Sequence, residues 1–130
     1  MSLRLRGILA PVVAAVCAAA APAATAGGPL TGAWSGVLSG SGAHSNRIVI
    51  VVNARETAGS WKISATCHGP LALQSISSGY HHYIRKLAPG ATCAGGDVDC
   101  LKRVGASVYD TVTPRPGARA VSGTLRPAPR

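Results

Sequence analysis

The sequence predicts an all-β fold, a small antiparallel meander barrel or sandwich of seven to eight short strands. Three observations carry that expectation. Short runs of alternating or β-branched residues recur along the chain, separated by clusters of Gly, Pro, Asn and Ser. After the first twenty-six residues no stretch holds a helical apolar period. The connections are short, which favours neighbouring strands pairing in sequence order.

The elements follow in order. Gly32–Ser39 alternates, with Trp34, Gly36 and Leu38 on one face. Asn46–Asn53 is nearly all β-branched, the strongest strand signal in the chain. Its unbroken apolar character implies two covered faces, or one face lining a pocket or an association surface. Ala54–Gly59 turns the chain into a strand at Trp61–Thr66, where Trp61, Ile63, Ala65 and Cys67 share a side. Gly69-Pro70 reads as a sharp turn into a fourth strand carrying Leu71 and Leu73. Tyr80–Lys86 is a fifth strand and Leu87–Thr92 a loop. Asp97–Val104 and Ser107–Val112 are the sixth and seventh, and a last short strand lies around Ala120–Leu125.

The chain has 130 residues, room for one domain. Met1–Arg6 is basic, Gly7–Ala20 is apolar, and Ala24-Thr25-Ala26 matches a small-residue cleavage site before Gly27. A charged start, an apolar middle and a small-residue end are what a secretory signal peptide needs. Residues 1–26 are therefore read as a signal peptide, and 27–130 as a single secreted β-domain with a frayed tail after about residue 126. A membrane anchor is the alternative, but Pro11 and Pro22 interrupt an apolar run shorter than the roughly 20 residues that span a bilayer. Val16 and Ala14 do not suit acylation of Cys17, so a lipid anchor is rejected.

Without the leader, eleven basic residues face four acids, Glu56, Asp97, Asp99 and Asp110. The cations are spread out rather than clustered, with little aromatic interleaving and no nucleic-acid motif, so no nucleic-acid partner is expected. For an exported chain this charge implies solubility, or attraction to anionic envelope polymers.

Three cysteines remain after the leader. With Gly95-Gly96 as a two-residue hairpin turn, Cys93 lies opposite Val98 and only diagonal to Cys100, roughly 7–8 Å away and beyond comfortable disulfide reach. Cys67 is therefore paired with Cys93, a clasp that export permits. Cys100 is then read as a small buried hydrophobe. Dimerisation through Cys100 and a Cys67–Cys100 bridge are the alternatives.

Several of these residues together resemble a known family. Gly32-x-Trp34-x-Gly36, Gly59-Ser60-Trp61, Cys67-x-Gly69-x-Leu71-x-Leu73, Cys93-x-Gly95-Gly96 and Gly123-x-Leu125 are similar to a small secreted actinobacterial β-domain. That domain occurs alone after a signal peptide, or as the extracellular domain of membrane serine/threonine kinases. The resemblance spans nearly all of the mature chain. It implies paired cysteines at Cys67 and Cys93, core aromatics at Trp34 and Trp61, and a sensory role whose ligand is unsettled. Two departures stand out: Tyr80–Lys86 lacks the acidic residue usual in the fifth strand, and Cys100 occupies an apolar position of the sixth. No kinase domain is present in this sequence, so no kinase activity follows.

No constellation points to catalysis, a metal or a cofactor. His81 and His82 are adjacent on a strand and point to opposite faces. Asp97 and Asp99 share a face opposite Val98 and Cys100, and are read as solvent-facing carboxylates rather than an acid/base pair. No serine sits in G-x-S-x-G, and the glycines at 40 and 42 lack a phosphate-cradle context. The candidates for contact with a ligand are Trp34, Trp61, Tyr80, Tyr83 and Arg85, which could ring a barrel mouth. Ordinary core filling is the competing role for the two tryptophans.

The expected function is a non-catalytic secreted domain recognising an anionic envelope polymer or a small ligand, with contact to membrane only through an uncleaved leader, as a monomer or weak dimer. The alternative is a structural or inhibitory protein acting through its surface, for example on a protease. An unrecognised enzyme is the third. A lined pocket favours the first, a filled interior with a projecting loop at Leu87–Thr92 or Thr113–Gly117 the second, and converging Asp, His and Cys side chains the third.

Overall fold

The computed structural model describes residues 28–129, so the signal peptide read at 1–26 lies outside the described residues. Eight strands follow one another: β1 (Gly32–Leu38), β2 (Asn46–Val52), β3 (Ala58–Ser64), β4 (Cys67–Ser77), β5 (Tyr80–Arg85), β6 (Val98–Val104), β7 (Ser107–Thr113) and β8 (Val121–Pro127). Each pairs antiparallel with the next, and β8 returns to β1 to close a barrel. Between barrel and sandwich, the meander barrel is the outcome.

Closure explains why the tail holds further than its sequence suggests. β1 offers a free edge, so Trp34 pairs with Pro127 and the Ala128 amide donates to the Ala33 carbonyl at 2.9 Å. The expected fraying after about residue 126 gives way to a strand that reaches Pro127.

Alternation decides what fills the barrel. Trp34 and Leu38 of β1, Ile48, Ile50 and Val52 of β2, Trp61 of β3 and Leu71 of β4 point inward, meeting Leu101, Val108, Val112 and Leu125 from the other wall. Outward positions on β2, β3 and β8 carry Arg47, Lys62 and Arg126. On these three strands the inner positions are apolar and the cations face out. The apolar character of β2 divides: Ile48, Ile50 and Val52 are core, while Val51 is exposed on the outer wall.

Two local expectations fail for the same reason, close approach of a neighbouring segment. Gly69-Pro70 is not a turn; the reversal comes at Ala65-Thr66, and both residues lie inside β4, opposite Trp61 and Ser60. The Lys86 amide donates to the Pro70 carbonyl and the Ala88 amide to the His68 carbonyl, extending β5 along β4. A Cβ on Gly69 would collide with the Lys86 carbonyl oxygen, so glycine is required there by contact rather than by a bend.

Gly95-Gly96 is not a hairpin turn either. The Gly96 amide donates to the Arg85 carbonyl while the Arg85 amide donates to the Asp97 carbonyl, so two residues face one. Gly96 has φ +99°, the left-handed conformation a glycine supplies at the first position of a G1 bulge. β6 therefore begins at Val98, one residue later than expected, and residues 86–97 form the loop that precedes it.

Candidate functional site

The strand directions put four connections at one end of the barrel: residues 39–45, 65–66, 86–97 and 114–120. The other end holds 28–31, 53–57, 78–79 and 105–106. These two ends are built differently.

At the second end Leu30 packs over the core at 3 % exposure. Its amide donates to Glu56 Oε2 at 3.2 Å and its carbonyl accepts from Trp34 Nε1 at 2.7 Å. The Arg103 guanidinium lies 5.1 Å from the Trp34 ring centroid and donates to the Pro29 and Gly105 carbonyls. Tyr83 Oη donates to the Glu56 carbonyl at 2.7 Å, and burial, then the Glu56 charge, raises its pKa. His81 Nε2 lies 3.3 Å from Glu56 Oε1. Among the described residues Leu30 covers this end of the core, beside a recess of about 190 Å3.

The first end is open. A recess of about 380 Å3 enters the barrel there, floored by Leu38, Trp61 and Ile63. Cys67 and Cys93 form one wall, joined by the expected disulfide with Cα atoms 5.4 Å apart. The polar wall carries His44, Asn46, Arg115 and Arg119, with Arg85 and Asp97 deeper. Trp61 Nε1 donates to the Lys86 carbonyl at 2.8 Å, so the indole is fixed and presents only its ring.

Beneath this mouth lies a buried ion cluster. Arg85, 6 % exposed, donates from Nε and Nη2 to the two oxygens of Asp99 at 2.6 and 2.9 Å. Its Nη1 is 3.5 Å from Asp97 Oδ2, and its guanidinium carbon sits 5.1 Å from the Trp61 ring centroid. Asp97 also accepts from the Arg115 amide at 2.8 Å and from Arg115 Nη1 at 3.4 Å, pinning the 114–120 loop to the start of β6. The reading of Asp97 and Asp99 as solvent-facing is thus overturned. They share a face as expected, but it is the inner one, because Arg85 points inward and supplies the countercharge.

Asp110, in phase with Val108 and Val112 on β7, was not among the expected site residues, although an aspartate alternating with two valines is a legible sign of a buried carboxylate. It is fully buried, and among the described residues no donor reaches either carboxyl oxygen. Burial, then the negative charge of Asp99, to which a protonated Asp110 can donate, pushes its pKa well above 3.8, outweighing the opposite pull of Arg85. A proton on Asp110 relieves both penalties.

That shift carries a pH prediction. A carboxyl whose folded pKa is raised contributes stability that is complete below its unfolded value and is lost as pH rises through the folded value. Urea unfolding is expected to show stability falling as pH climbs from about 4, and Asp110→Asn, which keeps the shape without the charge, is expected to flatten that fall. An equally steep decline in the variant would remove Asp110 as its source.

The remaining candidates separate. Of the five ligand-facing residues proposed, only Trp61 and Arg85 reach the open mouth. Trp34 and Tyr83 are buried core residues tied to the covered end. Tyr80 lies on the outer face of β5 with Val98, Cys100 and Ile84, and its pKa is raised chiefly by burial. His82 is on that same outer face, opposite His81, with Nε2 2.9 Å from Ser77 Oγ and Nδ1 3.7 Å from Cys100 Sγ. Cys100 is fully buried as expected, but it is not a free thiol, contrary to expectation. Among the described residues no three His, Cys, Asp or Glu side chains group to hold a metal ion.

The fold and this site define the class: a disulfide-braced, eight-stranded antiparallel meander barrel with one covered and one open end. Comparison adds no relative, since no family model, no curated protein and no solved structure matches the chain.

Proposed function

We propose that the chain is an exported, non-catalytic recognition domain that takes a small ligand, or the end of an envelope polymer, into the open mouth of its barrel. The observation that carries this reading is the asymmetry of the two ends: one plugged by Leu30, the other holding a recess of about 380 Å3 over an aromatic floor. Small-molecule sites occupy roughly 300–1,000 Å3 and combine apolar lining with a few fixed polar groups. Trp61 and the cations of the mouth match that composition.

The disulfide is compatible with an oxidising compartment and supports the export reading. The motif likeness to the outer domains of membrane kinases accords with a recognition role and rests on sequence alone. Two features weigh against the alternatives. The 86–97 loop lies flat rather than projecting: Lys86, Ala88 and Thr92 donate backbone hydrogen bonds to residues 66–70, and Cys93 is bridged to Cys67. This makes it a poor bait for a protease. The Ser77–His82 contact, with Cys100 Sγ 3.7 Å from His82 Nδ1, lies on the outer wall and lines no part of the recess.

The test is a thermal-shift screen of the mature protein against metabolites and envelope polymers. A ligand present at about a hundred times its dissociation constant stabilises the native state by roughly 2.7 kcal/mol. A hit is expected to change tryptophan emission through Trp61, and Leu38→Trp, which fills the mouth, is expected to abolish it. Hits that survive a filled mouth would move the site elsewhere on the molecule.

A further inference from the structure

The charges around the mouth are not evenly matched. Arg85 is held by both oxygens of Asp99. Arg115 holds Asp97 through its backbone amide at 2.8 Å and more loosely through its guanidinium, and that carboxylate is also 3.5 Å from Arg85. Asp97 is thereby neutralised from two sides. Arg119 is different. Among the described residues no carboxylate lies within ion-pair distance of it, although it lines the recess. Its guanidinium reaches from the 114–120 loop across to the 39–45 loop, where it lies against Gly42; a Cβ there would come within 2.9 Å of Nη1. A side chain at that position would push the cation off the rim.

The opposite side of the recess offers no matching polarity. Leu38, Trp61, Ile63 and the Cys67–Cys93 bridge present an apolar surface, and the Trp61 indole N–H is already used. A ligand that satisfies both sides has an apolar, flat body and one anionic group at its outer end. A neutral ligand leaves Arg119 without a counter-ion, and a second anionic group would have to lie over the apolar side.

On the reading that the mouth is the ligand site, we infer that it selects small amphiphilic anions, an aromatic or aliphatic body bearing one carboxylate, sulfonate or phosphate group, and that Arg119 is the recognition residue for the charge. Arg115 is a secondary contact, because its 3.4 and 3.5 Å approaches to Asp97 are long for charge-assisted hydrogen bonds and leave it able to turn toward a second anion. The floor supplies contact area, and the rim supplies the sign of the charge.

A matched pair of probes tests this. 2-Naphthoate and 2-naphthamide share a body and differ in charge. Titration calorimetry on the mature protein is expected to show the naphthoate binding at least tenfold more tightly than the amide. Arg119→Gln is expected to weaken naphthoate about tenfold and leave the amide unchanged, while Arg119→Lys restores part of the loss. Arg119 is exposed, so these variants should fold as the parent does, which their melting midpoints check. Equal affinities for the two probes, or naphthoate binding indifferent to Arg119→Gln, would overturn the charge inference while leaving an occupied mouth intact. Binding of neither probe also overturns it, and the mouth itself is then judged by the broader screen and its Leu38→Trp control.

Discussion

Replacing Arg85 by alanine is expected to cost about 3–5 kcal/mol, enough to unfold much of the population near body temperature. The reason is what it leaves behind. Asp99 is wholly buried and receives two hydrogen bonds from Arg85; Asp97 and Asp110 are buried close by. Without the guanidinium, Asp99 must either keep an uncompensated charge in the barrel or take up a proton. The variant's stability should therefore depend steeply on pH, recovering under acid. Arg85→Met combined with Asp99→Leu separates this cause from lost packing. Removing a buried pair together is often neutral or stabilising, so the double variant is expected to regain most of the loss. Urea midpoints at pH 5 and pH 7 check both. A double variant as unstable as Arg85→Ala would mean that the guanidinium's contact with the Trp61 ring matters more than its pairing with Asp99.

Much of the architecture is legible in the chain because closed meander barrels are assembled from local parts. The β-branched run 46–52 and the alternation Val108, Asp110, Val112 announce strands without help from distant residues. Even Cys67–Cys93 is recovered, although the hairpin assumed in pairing them does not exist; the bulge at Gly96 brings the loop back beside β5 instead. What local pattern cannot supply is direction. Alternation divides β6 into Asp97 and Asp99 on one face and Val98 and Cys100 on the other. Placing the polar set outside is the default when only β6 is considered. Here the default fails because β5 and β6 pair with Tyr83 opposite Asp99, which sets Arg85 and the two aspartates on the inner wall together.

The same limit governs the site. Trp61 and Arg85 were reachable by residue type, since a large ring and a cation near strand ends are ordinary mouth components. Arg119 and His44 were not, because nothing in their own neighbourhoods says that the 114–120 and 39–45 loops meet over one opening. Gly69 teaches the converse. Next to proline it has the composition of a turn, yet its constraint comes from the backbone of residues 86–88, almost twenty positions later. Contact across the barrel, rather than propensity, decides these positions.

The second large effect concerns the Cys67–Cys93 bridge itself. It joins residues 26 apart, and the chain-entropy model gives such a loop about 3.5 kcal/mol of stabilisation. Cys67→Ala with Cys93→Ala is expected to lower the urea midpoint accordingly; substitution is preferable to a reductant, because Cys100 is not a free thiol either. An unfolded-state effect alone would leave the native mouth unchanged, and the structure argues for more than that. Cys93 anchors the 86–97 loop beside the turn at 65–66, and the amides of Lys86, Ala88 and Thr92 donate to carbonyls of β4 and that turn along the same seam. Freed of the bridge, the Thr92 amide, nearest Cys93, should exchange its hydrogen soonest, then Ala88, while Lys86, beside the β5 ladder, stays protected. Uniformly faster exchange across all eight strands would instead assign the bridge a purely global role. The graded pattern matters for recognition, because the segment that loosens is one wall of the recess floored by Trp61, so losing the bridge should weaken mouth ligands by more than the fall in folded fraction explains.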